Sequence, residues 1–322
     1  MHALALFSDI YSDLKVVEKE LSKYIVADNP LLTETSCHLL RAGGKRIRPA
    51  FALLAGKFWN YNLQELLPLT VALEIIHMAS LVHDDVVDAS VTRRGRPTVK
   101  AKWGNRISLN TGDYLFAKSL MLIARYDDKR ISQILSRVSV EMCQGEIQQI
   151  AASFDADQKI RDYFYRIKRK TALLISASCR LGAVASGAPD FVVRALTKYG
   201  YYLGMAFQIT DDILDMVADE KILGKPVGGD LRQGIITLPV IYALKFSPYK
   251  SRLRELVTKE EKTESEILET IKLIKDSEAI EYSFILARRY LIKAKKELDK
   301  LPNVKTKKIL TRIASYIEER KY

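Results

Sequence analysis

The sequence predicts an all-α fold, on three observations. Apolar residues recur three or four positions apart along almost the whole chain, as in Leu4, Phe7, Tyr11, Leu14 and Val17, and this spacing lines one face of a helix. Runs of strict apolar and polar alternation, typical of half-buried strands, are hard to find. The composition is that of a globular protein, 48% hydrophobic and 28% charged, with 15 Gly and 9 Pro in 322 residues.

Turn and capping residues divide this pattern into about a dozen helices. In chain order, the predicted breaks are Asp28-Asn29-Pro30, Gly43-Gly44, Asn60-Tyr61-Asn62, Arg94-Gly95-Arg96-Pro97, Asp127-Asp128, Asp155-Ala156-Asp157, Gly187-Ala188-Pro189, Gly228-Gly229, Ser247-Pro248 and Leu301-Pro302. No Ser/Gly-rich linker, low-complexity tract or long repeat separates two parts of the chain. We therefore expect one domain over residues 1–322.

The charge balance indicates an anionic partner. Lys and Arg number 51 and Asp and Glu 39, a formal net charge of +12, which would attract nucleic acid, an acidic membrane or a phosphorylated substrate. The three cysteines form no Cys-x-x-Cys pair, so disulfides and zinc are not expected and a reducing cytoplasm fits. The N-terminal stretch MHALALFSDIYSDL has no basic start, and its apolar run is too short, so a secretory signal is not expected. Nowhere do about 18 apolar residues follow one another, so a membrane span is not expected.

Two Asp-Asp-x-x-Asp motifs carry the strongest chemical signal. Each follows an apolar helical run, in HMASLVHDDVVDASV and in MAFQITDDILDMV. The motifs consist of Asp84, Asp85, Asp88, Asp211, Asp212 and Asp215. Residues four apart share a helix face, so Asp84 lies beside Asp88, and the last motif repeats this arrangement.

Carboxylates crowded at the C-terminal end of a helix repel one another and lie unfavourably close to the negative end of the helix dipole. Their presence there indicates a bound cation. An oxygen donor set without His or Cys favours Mg²⁺, which commonly bridges protein carboxylates to substrate phosphates. A solvated acidic helix end is the alternative for one copy, but two copies make that explanation weak. The spacing and central Gly of an EF-hand calcium loop are absent.

Basic clusters accompany the first aspartate motif. Gly43-Gly44-Lys45-Arg46-Ile47-Arg48-Pro49 joins a flexible turn to three cations, and Arg93-Arg94-Gly95-Arg96-Pro97 follows the motif after four residues. The planar fork of Arg and the point charge of Lys both suit phosphate oxygens, so these clusters predict a diphosphate site. A nucleic-acid surface would instead spread cations along one face, with interleaved aromatics and no carboxylates beside them.

The ordered motifs GGKRIRP, DDVVDASVTRRG, KT, FQITDDILD and GK resemble those of the trans-polyprenyl diphosphate synthases. The motifs run from about Ala42 to Lys225, and the helical pattern continues to the end of the chain. Within this family the resemblance is strongest to the catalytic large subunits of bacterial heptaprenyl-forming enzymes. It implies the isoprenoid synthase fold, a single large helical bundle around a central cavity.

The resemblance also implies residue roles. The metal ligands would be Asp84, Asp88 and Asp211, with Asp85, Asp212 and Asp215 completing the motifs. Arg93, Lys170 and Lys225 would hold the allylic diphosphate, while Lys45, Arg48, His77 and Arg94 would hold isopentenyl diphosphate. Thr171 and Gln208 would lie near the reacting carbons. A histidine on an apolar helix is more often a core residue, but His77 lies seven residues before Asp84 and therefore on the same helix stripe.

One residue departs from the family pattern. In CQGEIQQI, Gln149 stands where short-chain members have a further metal-associated Asp.

The implied reaction is the Mg²⁺-dependent, successive head-to-tail trans condensation of isopentenyl diphosphate onto an allylic diphosphate such as farnesyl diphosphate. The implied product is a long-chain, heptaprenyl diphosphate for the menaquinone side chain. The allylic C–O bond ionises, the alkene attacks the cation and a proton is lost to pyrophosphate, so no enzyme nucleophile is required. A small noncatalytic subunit is expected to form a heterodimer with the chain, with a homodimer as the alternative, and the product is expected to leave through transient membrane contact.

Chain length is expected to depend on the helix that ends in the first motif. A product with its diphosphate at Asp84 would extend toward the apolar start of that helix, past Ser80 at about 6 Å and Ile76 at about 12 Å. By resemblance, Ala79 and Ser80 replace the bulky aromatics of short-chain members. Ile76 is then the first large side chain on the path, although ordinary helix packing would explain it equally well.

Two alternatives stay open on the sequence. A noncatalytic, isoprenoid-binding regulatory subunit could keep the fold, although the motifs are intact. A class I terpene cyclase shares the metal-triggered ionisation, but it normally lacks a GGKRxRP site for a second diphosphate.

Overall fold

The computed structural model describes residues 3–217 and 227–319. The chain begins with a 3₁₀ helix over Ala3–Ile10. The helices that follow are α1 (Tyr11–Tyr24), α2 (Pro30–Arg41), α3 (Ile47–Gly56), α4 (Leu63–Val87), α5 (Val99–Ile123), α6 (Lys129–Ala151), α7 (Ile160–Ile167), α8 (Leu173–Ala185), α9 (Asp190–Val217), α10 (Gly229–Arg232), α11 (Leu238–Phe246), α12 (Lys250–Thr258), α13 (Glu264–Lys275), α14 (Ala279–Asp299) and α15 (Lys305–Glu319). The all-α prediction is confirmed.

A short antiparallel hairpin departs from the helical pattern within the described residues. Its strands are β1 (Thr92–Arg93) and β2 (Arg96–Pro97). The two turn residues, Arg94 and Gly95, both have positive φ, 53° and 74°, as a tight two-residue hairpin turn requires.

Helix starts follow the capping residues that the sequence shows. Asn29 precedes Pro30, the first residue of α2, and its side-chain oxygen accepts a hydrogen bond from the Leu32 N–H. Asn62 caps α4 in the same way. The start of α13 was not among the predicted breaks, although Thr263 and Glu266 form a Thr-x-x-Glu capping box there.

The chain divides into two compact units by its internal contacts. The first comprises Met1–Leu135, Ala177–Leu196 and Pro302–Ile309, and the second comprises Ser136–Ser176, Thr197–Leu301 and Leu310–Tyr322. That residues 1–322 form one domain stays a prediction.

Helix α4 is the central element of the first unit. It packs against α5, α3 and α1, and its residues are buried on nearly all sides from Leu69 to Ile76. Among the described helices, α4 is long and apolar enough to cross a membrane, but 67% of its apolar stretch is buried inside the fold. This pattern is typical of the core helix of a folded domain.

The second unit has its own apolar core. Helix α11 packs against α14, α12 and α7. Tyr163, Ile209, Ile213 and Leu253 are completely buried in this core. Residues Lys168–Ala172 form one turn of π-helix between α7 and α8. Such a turn changes which way side chains point, and it is often found at functional sites.

Candidate active site

The first aspartate motif lies at the end of α4, as predicted. Asp84 and Asp85 are in its last turn, and Asp88 follows the last helical residue. Asp85 is buried, and its Oδ1 accepts a hydrogen bond from Nε of Arg93 at 2.8 Å and forms an ion pair with Nη2 of the same residue, also at 2.8 Å. Burial raises the pKa of Asp85, although Arg93 opposes this shift. Asp85 therefore orients Arg93 directly.

The hairpin that carries Arg93 and Arg94 is fastened to the end of α4. The hydroxyl of Thr98 donates to the Ser90 carbonyl at 2.9 Å, and the Thr98 N–H donates to the Val91 carbonyl at 3.0 Å. Thr98 also caps α5. One residue thus joins the hairpin to two helices.

The Gly-Gly-Lys-Arg segment makes a contact that was not predicted from the sequence. Arg46 has a left-handed backbone, with φ 48°, and its side chain is buried. Its guanidinium group binds Glu18 with Nε and Nη2, at 2.5 and 2.8 Å, and Glu74 with Nη1, at 3.0 Å. The single signal in the sequence was Glu74, an acidic residue inside an apolar helical run.

Gly44 lies between two of the cations. A Cβ atom at this position would be 2.6 Å from Nη1 of Arg46 and 2.8 Å from Nη1 of Arg94. Both guanidinium groups therefore pack onto the bare backbone of Gly44. The second Gly of the motif is needed for this close approach rather than for an unusual φ.

Arg48 and His77 are half-buried members of this cationic group, and Lys45 is exposed. The Arg48 Nε is buried and has no hydrogen-bond partner among the described residues. Burial lowers the pKa of Arg48 to about 10, and Arg94 adds to this shift. Burial and the surrounding arginines also hold the pKa of His77 well below its ordinary value. A half-buried cation whose buried donor atom has no partner indicates an anionic ligand.

The second unit carries the other aspartate motif on α9, again as predicted. Asp212 is buried, and it accepts hydrogen bonds from the Tyr163 hydroxyl at 2.7 Å and the Gln208 amide at 2.8 Å. The Gln208 carbonyl oxygen in turn accepts a hydrogen bond from the Thr171 hydroxyl at 2.6 Å. Burial raises the pKa of Asp212, and the two donors oppose the shift. Tyr163 was not predicted from the sequence.

The remaining residues of this motif have different surroundings. Asp211 is half-buried near the end of α9, and Asp215 is buried one turn later. Oδ2 of Asp215 accepts a hydrogen bond from the Asp230 N–H at 3.0 Å. Lys225, which was predicted to hold the allylic diphosphate, lies outside the described residues.

Lys170 and Thr171 lie in the π-helical turn. The Lys170 Nζ is 3.3 Å from Oε2 of Glu146, and the Gln149 amide donates to Oε1 of the same Glu146 at 3.2 Å. Gly145 allows α6 to come close to this turn, because a Cβ atom there would be 2.6 Å from Cβ of Arg169. Gln149 thus hydrogen-bonds the carboxylate that pairs with Lys170.

The predicted chain-length residues lie on α4. Ile76 and Ala79 are buried, and Ser80 is half-buried, with its hydroxyl donating to the His77 carbonyl at 2.9 Å. Their role in chain length stays a prediction.

The aspartate motifs suit a hard cation. Within the described ranges, no three His, Cys, Asp or Glu side chains form a ready-made metal cage. Mg²⁺ usually binds through one or two carboxylates and completes its shell with water and substrate phosphates. Asp84 and Asp88, one turn apart at the end of α4, are a donor set of this kind.

Comparison with known proteins agrees with these features. The family model described as polyprenyl synthetase matches residues 29–274. The chain is 49% identical over 316 residues to heptaprenyl diphosphate synthase component 2 of Bacillus subtilis (strain 168), covering 98% of this chain and 90% of that protein.

Two solved structures resemble the whole chain. Heptaprenyl diphosphate synthase from Staphylococcus aureus has a TM-score of 0.91 and 37% identity, covering 97% of this chain and 99% of that one. The polyprenyl synthase from Caulobacter crescentus CB15, complexed with calcium and isoprenyl diphosphate, has a TM-score of 0.94 and 32% identity, covering 99% and 98%.

The chain belongs to the polyprenyl synthetase family and has the isoprenoid synthase fold. It is a trans-prenyltransferase that makes a long-chain polyprenyl diphosphate, which confirms the predicted enzyme class.

Proposed function

We propose that this enzyme makes heptaprenyl diphosphate from farnesyl diphosphate and isopentenyl diphosphate, for the side chain of menaquinone. The observation that carries the proposal is the half-buried Arg48, whose Nε lacks a partner among the described residues, as a second basic group besides Arg93, which Asp85 already holds. One diphosphate needs one such group. Two groups support an enzyme that binds two diphosphates, which a terpene cyclase does not require.

In this proposal the basic residues divide between the two substrates. Arg93, Lys170 and Lys225 hold the allylic diphosphate, and Lys45, Arg48, His77 and Arg94 hold isopentenyl diphosphate. The lowered pKa keeps His77 neutral at pH 7, so that it offers a hydrogen bond to the diphosphate without adding a fifth charge to the arginines. Thr171 and Gln208, joined by a hydrogen bond, lie beside the reacting carbons.

Asp84, Asp88 and Asp211 are proposed to hold Mg²⁺ together with the allylic diphosphate. Bound there, the ion would neutralise the leaving diphosphate and so assist its departure. The buried Asp85 and Asp212 already accept hydrogen bonds from Arg93, Tyr163 and Gln208, so we propose that they orient those side chains.

We further propose that a small noncatalytic subunit completes a heterodimer. The support is the name of the Bacillus subtilis relative, which is component 2 of its enzyme. The cytoplasm is the proposed location, with membrane contact only when the long apolar product leaves.

The decisive experiment incubates the purified chain with Mg²⁺, farnesyl diphosphate and labelled isopentenyl diphosphate, with and without the small subunit of a bacterial heptaprenyl synthase. Chromatography of the dephosphorylated product should show a linear heptaprenyl alcohol, in higher yield with the subunit. A cyclic hydrocarbon, or no product under either condition, would contradict the proposal. A linear product of another length would contradict only the assignment of chain length.

The metal ligands are tested by Asp84→Ala and Asp211→Ala. Each change removes a metal ligand and almost no core volume, so kcat should fall about a thousandfold, because several kcal/mol of charge stabilisation are lost. Asp113→Ala, a change at an exposed carboxylate of α5, is the matched control and should leave kcat unchanged. Near wild-type turnover in either motif variant, measured at saturating Mg²⁺, would show that the assignment is wrong.

A further inference from the structure

Glu74 is a buried carboxylate that the proposed mechanism does not use. It is 2% exposed, and it lies in the middle of α4, ten residues before Asp84. Ten residues of helix span about 15 Å, so Glu74 is too far from the aspartate motif to share its metal ion. A buried carboxylate is costly unless cations or hydrogen-bond donors compensate it. Its surroundings should therefore explain why it is there.

Arg46 compensates part of that charge, and its own donors are occupied within the protein. Nε and Nη2 bind Glu18, Nη1 binds Glu74, and the side chain is 7% exposed. Arg46 also keeps a left-handed backbone, which non-glycine residues adopt only when the surrounding structure stabilises it. Arg46 is thus a fixed structural cation between Lys45 and Arg48.

Arg46 lies close to a second arginine. Nη1 of Arg46 and Nη1 of Arg94 are both within 3 Å of the point where a Gly44 Cβ would lie. Burial and Arg46 lower the pKa of Arg94, whereas Glu74 opposes that shift. Glu74 opposes the lowering at Arg48 as well. One carboxylate therefore offsets the mutual repulsion of three arginines.

The remaining acidic groups act elsewhere. Glu18 approaches the Arg46 guanidinium from α1 and is half exposed, and Asp85 is bound by Arg93. Oε2 of Glu74 has no hydrogen-bond partner among residues 3–217 and 227–319. The position of Glu74 is thus suited to charge compensation near Arg48 and Arg94, the two arginines proposed to receive isopentenyl diphosphate.

We propose that Glu74 is a positioning residue for the isopentenyl diphosphate site: acting through Arg46, it keeps Arg46 and Arg94 together on Gly44 and so holds Arg94 and Arg48 ready for the second diphosphate. The inference rests on the proposed function and assigns a role to a residue that does not itself touch substrate. Without the carboxylate, the like charges of Arg46 and Arg94 repel each other. Because the Arg94 side chain borders solvent, it then moves away from Gly44 into solvent.

The test is steady-state kinetics with each substrate varied in turn. Glu74→Gln keeps the size and one hydrogen bond of the side chain but removes its charge, and it should raise KM for isopentenyl diphosphate about tenfold, with KM for farnesyl diphosphate within twofold of wild type. Glu74→Asp keeps the charge and should restore most of the affinity. Val71→Ala, one turn earlier in the same buried helix, controls for a general loss of stability and should change neither KM.

A double-mutant cycle tests whether the effect passes through Arg46. In an Arg46→Gln background the repulsion from Arg46 is already gone, so adding Glu74→Gln should raise KM for isopentenyl diphosphate less than twofold. An unchanged KM in folded Glu74→Gln, an equal rise in both KM values, or a full tenfold effect in the Arg46→Gln background would each overturn the inference.

Arg48→Gln, measured in the same assay, separates this inference from the proposed function. If Arg48→Gln raises KM for isopentenyl diphosphate and the Glu74 variants do not, only the role of Glu74 is wrong. If Arg48→Gln leaves that KM unchanged, the proposed binding site is wrong and the role of Glu74 falls with it.

Discussion

Asp85 and Asp212 are the second carboxylates of their motifs, and both use their oxygens to hold neighbouring side chains. Asp85 fixes Arg93, and Asp212 fixes Gln208 with the help of Tyr163. A hydrogen bond to a charged group contributes about 1.5–3 kcal/mol, enough to select one side-chain orientation. The motifs therefore combine two tasks, since Asp84, Asp88 and Asp211 are proposed to bind metal while the second carboxylate of each motif organises the residues around it.

Tyr163→Phe tests this division of tasks. The change keeps the ring and removes the hydroxyl that donates to Asp212, so Gln208 is held less firmly. We expect kcat to fall about tenfold, corresponding to about 1.4 kcal/mol. Tyr199→Phe is the control, because Tyr199 is also fully buried and its hydroxyl donates to the Leu310 carbonyl at 2.8 Å, away from the motif. Equal kcat values for the two variants would contradict the role of Tyr163.

The depressed pKa of His77 predicts a pH effect on stability. Burial and Arg48, Arg94, Arg93 and Arg46 disfavour the protonated imidazole in the folded chain, whereas the unfolded chain protonates it near pH 6.5. The unfolded chain therefore takes up a proton at His77 that the folded chain does not, once the pH drops below about 6.5. The free energy of unfolding keeps the full benefit of the neutral His77 above pH 6.5 and falls below it, by at most about 1.4 kcal/mol per pH unit.

The measurement for His77 is urea unfolding at pH 7.5 and pH 5.5. Wild type should lose more stability between these values than His77→Gln, which cannot be protonated. Identical losses in the two proteins would show that the His77 pKa is not depressed in the folded state.

Among the elements, α4 contributes most to the site. It carries Glu74, His77 and the first aspartate motif along about four turns, and it is held by α3 and α5 on its sides. Because each residue of a helix adds a rise of about 1.5 Å, the number of residues between these side chains sets how far apart they lie along α4. The product chain is proposed to use the same helix as its guide.

Ser80→Phe tests that proposal. A bulky ring one turn before Asp84 should stop growth after about three or four isoprene units, because Ser80 lies only about 6 Å from the diphosphate end. Ile76→Gly should lengthen the products, provided that circular dichroism shows that it folds, since the lost side chain and the added glycine cost several kcal/mol. Chromatography of the dephosphorylated products gives the lengths. An unchanged distribution in Ser80→Phe would show that the product does not follow α4.

The charge of the whole molecule should affect how fast substrates arrive. With a net charge of +12, the chain attracts diphosphates at long range, and salt screens such attraction over about 8–10 Å. Raising NaCl from about 50 to 300 mM should lower kcat/KM several-fold, while kcat at saturation stays constant. Sucrose at equal osmolality is the control and should have little effect. A salt-independent kcat/KM would show that net charge does not assist binding.

The parts of the site that were predicted from sequence are local. The aspartate motifs end α4 and α9 because an apolar run followed by carboxylates at i and i+4 defines its own helix face. The helix breaks at Asn29 and Asn62 were predictable for the same reason, since a cap is satisfied within three residues. The order of the motifs along the chain also predicted the family, and the family resemblance in turn gave the proposed substrate contacts.

The contacts that orient the site depend on tertiary structure. Arg46 meets two carboxylates that are each 28 residues away, Glu18 before it and Glu74 after it, and Tyr163 meets Asp212 across 49 residues. No local pattern distinguishes these residues from other buried tyrosines or paired acids. The close approach of α6 at Gly145 to the π-helical turn at Lys168–Ala172 is likewise a tertiary contact. Packing brings such partners together, because burying an unpaired charge costs more free energy than short-range propensities can supply.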